Sequence, residues 1–215
     1  MRHTPRGLTL LEVLTVLALV GLFAGMSVSG IRGMVARQRV SDTERQVLMM
    51  MQEARQKSRA TGQAVRLTRS TELEGGVAVT RLRWEALACS DDWGTQCPMA
   101  ACQTKECGEG GCVCPERGPG VVVPRQLDVS SVVGLCWMGA PEPGSSAPGV
   151  VRATSGRTCD VANPRPVDGQ LVLLRDLSPR GAPLWRPDVV LQVDTLSGAT
   201  RSLDCTRAPT TTGCL

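Results

Sequence analysis

All ten cysteines of this 215-residue chain lie between Cys89 and Cys214. Six of them, Cys89, Cys97, Cys102, Cys107, Cys112 and Cys114, crowd into one stretch, where four recur every five residues. The same chain holds one Phe, four Trp and no Tyr. Aromatic rings supply much of the buried area of an ordinary core, so covalent cross-links are expected to carry that load here. A cysteine cluster is also a candidate zinc site, since four thiolates suffice. The repeated spacing is Cys-x4-Cys rather than the Cys-x2-Cys of zinc modules, and disulfides in an oxidising compartment are the better reading. Six cysteines allow too many connectivities for any pair within the cluster to be assigned. Gly, Glu, Gln and Asp fill the gaps between them, so the segment 89–120 reads as a stapled insertion whose exposed tip could contact a partner.

The only histidine is His3, in the N-terminal stretch 1–7 expected to be removed as a leader. Without another, Ser-His-Asp and Cys-His catalysis and His-ligated metal sites have no candidates. No G-x-S-x-G or phosphate loop occurs either, and the carboxylates show no informative spacing. The expectation is a protein that is not an enzyme and needs no cofactor or metal.

A second constraint lies at the other end. From Leu8 to Ile31 run twenty-four residues with one charge, Glu12. As a helix this segment would be about 36 Å long, against about 30 Å for a bilayer core. It is long for a secretory signal, and no A-x-A-like site follows it. Arg2 and Arg6 precede it and favour a cytoplasmic N-terminus; Arg32, Arg37 and Arg39 on the far flank weaken that inference, and the cysteines restore it. Glu12 has three readings: a capping box with Thr9 at a helix N-terminus, a carboxylate at a headgroup boundary, or a partner for a positive charge inside an apolar assembly.

Gly7 followed by LTLLEVLTVLALVGLFAG resembles the class III signal of type IV pilins and pseudopilins. The resemblance implies cleavage between Gly7 and Leu8 by a prepilin peptidase, N-methylation of Leu8, and a Glu12 that neutralises the N-terminal amine of a neighbouring subunit in a filament. Leu8 departs from the Phe or Met usual at that position. It further implies a type IV pilin fold: α+β, one long N-terminal helix, half membrane-spanning and half amphipathic, packed on an antiparallel sheet with a disulfide-rich head. The partners it implies are other major and minor pilins or pseudopilins, the peptidase, an inner-membrane assembly platform and a tip adhesin. The location it implies is the bacterial inner membrane, single-pass, with the head periplasmic.

Beyond Ile31 the helical pattern becomes amphipathic. Val40, Val47, Met51, Ala54 and Ser58 share one face, Asp42, Arg45, Gln52, Glu53 and Gln56 the other, and Met49 breaks the pattern. Gly62 is a stop signal. The run EARQKSRATGQAVRLTRS, with Ala54-Arg55, Ser58, Ala60 and the Val65/Leu67 alternation, resembles the GspH/FimT branch of minor pilins and pseudopilins. The expected division is a leader at 1–7, a membrane or filament-core helix at 8–31, its amphipathic continuation at 32–61, and a β-rich head at 62–215. Expected strands include a hairpin around Glu74-Gly75-Gly76, Arg81–Ala88, Val121–Val123, Val129–Trp137, Val150–Ala153, Leu171–Arg175, Val189–Val193 and Arg201–Cys205. The stretches from Pro141 and from Ser178 to Pro187 read as loops.

Outside the cluster, Cys136 is expected to pair with Cys159. Cys205 is expected to pair with Cys214, closing a short loop similar to the disulfide-bounded region near the end of many pilins. The leading functional reading is a structural subunit of a type IV pilus tip or a secretion pseudopilus. The alternative is DNA capture, because FimT-like proteins share a C-terminal Gly-Arg-x-Arg element. Here the element reads Gly198-Ala199-Thr200-Arg201, one arginine short, with Asp194 and Asp204 nearby. Arg201 is then either a phosphate contact or a solvated hairpin residue. Residues 32–83 form a basic band, eleven basic against five acidic, on an otherwise near-neutral chain, and Arg outnumbers Lys by twenty-two to two. That band is no polybasic tail.

Overall fold

The computed structural model describes residues 10–89, 97–139, 149–152, 159, 165–167, 169–178, 184–210 and 212–214, with no side-chain description for 24–33, 104, 165 and 166. The chain divides into two compact units, Met1–Ser41 and Asp42–Leu215.

Helix α1, Leu10–Thr61, contributes residues to both units. It ends where Gly62 takes a left-handed φ of 70° and returns its N–H to the Ser58 carbonyl at 2.9 Å, a common helix terminator because glycine has no Cβ to clash. The described side chains of 10–23 are exposed throughout. Further along, Val40, Thr43, Val47, Met50, Met51, Ala54 and Ser58 are buried, while Met49 is exposed.

Two expectations are corrected here. Among the described residues no helix is long and apolar enough to cross a membrane. The type IV pilin fold with a membrane-crossing half-helix is therefore set aside. The single-pass inner-membrane location inferred from it goes with it. What the structure carries is an α+β architecture of antiparallel sheets and disulfides.

The larger unit holds two sheets. In the first, β1 (Val65–Glu74) and β2 (Val77–Ala86) form a hairpin paired along its full length. Its two-residue turn, Gly75-Gly76, has both φ positive, the geometry whose twist matches that of the flanking strands. Strands β3 (Glu116–Arg117) and β4 (Val121–Val123) pair with β2; β6 (Leu135–Trp137), β7 (Val150–Arg152) and β8 (Arg165–Pro166) extend the sheet beyond β1. The second sheet runs β11 (Thr200–Asp204), β10 (Trp185–Val193), β9 (Gln170–Asp176), β5 (Leu127–Asp128). A short helix α2, Ala100–Thr104, lies in the cysteine-rich segment.

Two strand boundaries differ from the sequence reading for identifiable reasons. The expected strand Val129–Trp137 survives only as β6, because the Asp128 carboxylate accepts the Ser130 N–H at 2.8 Å and starts a run of turns through Val132 and Gly134. Conversely, β10 begins inside the stretch read as loop. Pro187 is tolerated there because the register shifts between Pro187 and Val189, and a bulge is where a strand can host proline.

The core draws on both sheets: Leu67, Leu82, Trp84, Leu135 and Trp137 from the first, Leu171, Leu173, Val190 and Leu191 from the second. Ser58 joins α1 to it. Its hydroxyl accepts the Gly139 N–H at 2.6 Å and faces the carbonyls of Gln63 at 2.8 Å and Trp137 at 3.1 Å. Ser58→Ala strands the Gly139 N–H in a buried site, and an unmet buried donor costs about 1–3 kcal/mol. The expected outcome is a lowered denaturation midpoint at unchanged denaturant slope; an unaltered midpoint would show that the hydroxyl is dispensable.

Candidate functional site

The hairpin register places Arg66 opposite Glu85. Both side chains lie on the face opposite the Leu67, Leu82 and Trp84 core, yet both are buried, Arg66 to within 1% of full burial. The cysteine-rich segment covers them. Arg66 donates through Nε and Nη2 to Glu85 Oε2 at 3.3 and 3.2 Å, and through Nη1 to the Lys105 carbonyl at 3.0 Å. Its Nη2 also lies 3.1 Å from Cys107 Sγ. Arg117 Nε approaches the other Glu85 oxygen at 3.4 Å. One guanidinium thus fastens the loop to the sheet, using the fork geometry that distinguishes Arg from Lys. Lys57 of α1 also pairs with Glu116 of β3.

Five disulfides link all ten cysteines: Cys89–Cys97, Cys102–Cys112, Cys107–Cys114, Cys136–Cys159 and Cys205–Cys214. Cys102, Cys112, Cys136 and Cys159 are buried together with Ala64, Leu87 and Val151 in one apolar cluster, against which Met99, Met138, Cys107 and Cys114 pack. The loop therefore brings its own apolar content as sulfur. Polar residues between the cysteines lie outside that cluster: Gly108, Glu109 and Gly110 are exposed at the tip.

Gly7 and Leu8 lie outside the described residues, as does Thr9. Glu12 sits in the first turn of α1, where a carboxylate complements the positive end of the helix dipole, and its carbonyl accepts the Thr15 hydroxyl at 2.9 Å. Around it the exposed side chains are apolar, among them Leu10, Leu11, Leu14, Leu17 and Phe23.

Arg201 is exposed on β11, and its Nε donates to Gln192 Oε1 across the sheet at 2.6 Å. It lines an open groove of about 500 Å³ with Gln170, Gln192, Asp194 and Thr200. Gly198 precedes it with φ 65°, where any Cβ would meet Trp137 and Val150. The turn is held further by Arg55 Nε and Arg59 Nη2, which donate to the Ser197 carbonyl at 2.7 and 3.2 Å. Nearby arginines are thus engaged in holding backbone, and Asp194 brings a negative charge into the groove.

Sequence reasoning passed over a third constellation. Asp188, the bulged residue of β10, is buried beside Glu44 of α1 and Arg175 of β9. Arg175 Nη2 is 2.7 Å from Asp188 Oδ2 and 3.7 Å from Glu44 Oε1, although neither oxygen is aligned for a hydrogen bond. Burial, then the hydrogen bond and charge of Asp188, raise the Glu44 pKa from 4.5 to about 8, with Arg175 acting in the opposite direction. Two carboxylates thus compete for one guanidinium, and a proton on Glu44 relieves the conflict.

A carboxyl whose folded pKa lies above its unfolded value adds stability that is complete below the unfolded pKa and disappears as pH rises through the folded one. For Glu44 that window runs from 4.5 to about 8. Glu44→Gln keeps the shape without the charge. Its thermal midpoint is expected to fall less than the parent's between about pH 5 and about pH 9, and to exceed the parent's at the alkaline end. Parallel curves for the two proteins would remove Glu44 from the account.

Compared with known proteins, the chain matches no family model, no curated protein and no solved structure.

Proposed function

We propose that this chain is a structural filament subunit, a minor pilin or pseudopilin, joined to neighbouring subunits through its N-terminal helix after cleavage between Gly7 and Leu8. The observation that carries the proposal is the exposure of a continuous apolar helix surface. Leu10 is 81% exposed, Leu11 73% and Phe23 65%, and exposed apolar patches of this extent mark interaction surfaces. Helices of neighbouring subunits, similarly apolar, are the proposed cover. Glu12, one acid within that surface, would set the register by pairing with the free amine of a neighbouring Leu8. A wrong register would leave a desolvated charge uncompensated. The stapled head fits the same role, since a subunit surface that must survive outside its chain's own core gains from cross-links that constrain the unfolded state.

Truncating one member of a buried charge pair costs about 3–5 kcal/mol, a weakening of more than about 100-fold. Glu12→Ala is therefore expected to vanish from sheared filament fractions of the producing cell while the head keeps all five disulfides by non-reducing peptide mapping. Incorporation at the parent level would sink the assembly role. Gly7→Leu is expected to retain the leader, visible as residues 1–7 in the intact mass; efficient cleavage of that variant would refute the processing step.

A further inference from the structure

Strand β1 is paired along its full length with β2 on one side, but on the other β6 reaches only Val65 and Arg66. A last bond, Gly134 N–H to the Leu67 carbonyl at 2.9 Å, closes that ladder. Among the described residues no strand pairs with this side of β1 beyond Leu67. Backbone groups of an antiparallel strand alternate between its two neighbours. Leu67 turns its carbonyl toward β6, so Arg69, Thr71 and Leu73 each turn an N–H and a C=O to the same open side. All three residues are exposed, Leu73 to 78%. The other border of the hairpin is treated differently, since β4 covers β2 at Thr80–Leu82 and β3 covers it at Glu85–Ala86. Sheets commonly blunt a bare edge with proline, a bulge or a covering loop. From Leu67 to Leu73 there is no proline, and the register with β2 is unbroken. A regular edge of this kind accepts an added strand.

Side chains decide which strand fits. Arg69, Thr71 and Leu73 share the hairpin face that carries Leu67. On that face Arg69 lines a groove of about 370 Å³ together with Arg125 and the buried Val123, Leu127 and Val129. Among the described residues neither Arg69 nor Arg125 has a carboxylate partner. The one acid lining the groove, Asp128, is engaged by the Ser130 N–H at 2.8 Å and the Ser130 hydroxyl at 3.0 Å. On the opposite face Glu72 and Glu74 are already matched by Arg83 and Arg81. The positive charge left over therefore sits on the groove side of the open edge.

We infer that the open side of β1, from Arg69 to Leu73, is a docking edge for an extended acidic segment of a partner protein. The segment adds to the sheet as a further strand and exchanges backbone hydrogen bonds with Arg69, Thr71 and Leu73. Its alternate residues face the groove, where a carboxylate pairs with Arg69 and an apolar side chain covers Leu73. Opposite charges on neighbouring strands favour such a pairing, and like charges oppose it. A second copy of this chain supplies no acid there: its own edge presents Arg69, Thr71 and Leu73 to that face, and its glutamates lie on the other. The inference rests on residues of the larger unit alone and goes beyond the filament role proposed above.

Peptide selection and amide exchange on the full oxidised chain test this edge. In the free protein the amides of Arg69, Thr71 and Leu73 are expected to exchange rapidly, and those of Ser70 and Glu72, which face β2, slowly. Random linear heptapeptides displayed on phage are selected on the parent and counter-selected on Thr71→Pro, which removes an outward donor that β2 does not use. The expected survivors carry Asp or Glu at alternate positions and, as synthetic peptides, slow exchange at Arg69, Thr71 and Leu73. Their affinity for Thr71→Pro is expected to fall more than about 10-fold, as loss of a well-aligned backbone bond requires. Thr71→Val keeps the donor and is expected to bind as the parent does. Should Thr71→Pro lose the near-ultraviolet dichroism of the folded head, Arg69→Glu carries the test, and it is expected to select basic peptides instead. Failure to select any parent-specific peptide, survivors without alternate acids, protection away from the three amides, or acidic peptides still selected by Arg69→Glu would each overturn the edge. Protection of the three amides that rises with protein concentration alone would give the edge to a second copy and overturn the acidic partner.

Discussion

Sulfur from Cys102, Cys112, Cys136 and Cys159 occupies the space between the first sheet and the segment that covers it, with Ala64, Leu87 and Val151 as its buried company among the described residues. Those three side chains are small or medium in size, and the burial they offer could not hold a long Gly-rich insertion in place at about 25 cal/mol per Å². Cross-links act on the other side of the balance. By shortening the reach of the unfolded chain, a disulfide typically contributes about 2–4 kcal/mol. Five of them, closing loops of 7 to 23 residues in sequence separation, let a head with no Phe and no Tyr settle into a single arrangement. The placement of α2, β3 and β4 around the hairpin follows from that closure.

The Arg66–Glu85 pair belongs to the same arrangement but has a different physical character. A buried ion pair often contributes little net stability, because desolvation offsets the attraction. Its value here is positional. Arg66 points four donor contacts at two segments distant from it in sequence: β2 through Glu85, and the cysteine-rich segment through the Lys105 carbonyl and Cys107. A sliding loop would break the Lys105 and Cys107 contacts together. Closer to the hairpin tip the same face is exposed, and its Arg81–Glu74 and Arg83–Glu72 pairs add little beyond solubility.

Several of these features were legible in the residues. The buried face of α1 from Val40 to Ser58 follows helical periodicity, and the glycine pair at 75 and 76 defines the hairpin. From that turn alone the register pairs 74 with 77, and counting outward puts Arg66 against Glu85. The pair was nonetheless missed, since alternation assigns Arg66 to solvent, and only the covering loop reverses that assignment. Strand limits failed where one side chain redirected the backbone, as Asp128 does before β6. The membrane-crossing reading rested on the length of an apolar run alone, and among the described residues no helix is long and apolar enough to cross a membrane. Non-local contacts such as Glu44 with Asp188 leave no trace in local patterning.

That last contact shows how a local backbone irregularity becomes a tertiary constraint. Pro187 cannot donate to the ladder, so β10 bulges past it. The bulge directs Asp188 inward, toward Arg175 on the neighbouring strand and Glu44 on the helix. A single guanidinium between two acids cannot satisfy both in their charged forms, so the helix end of the joint is held best when one acid carries a proton. At the opposite end of the same helix segment, Arg55 and Arg59 grip the Ser197 carbonyl beside Asp194, whose carboxyl the Ser197 hydrogen bonds hold below its ordinary range, so that it is already charged where Glu44 titrates. The two ends of the segment therefore respond differently to pH. As pH rises the joint loosens first at Glu44, while the Ser197 end and the Ser58 bonds still hold the helix against the second sheet and the core.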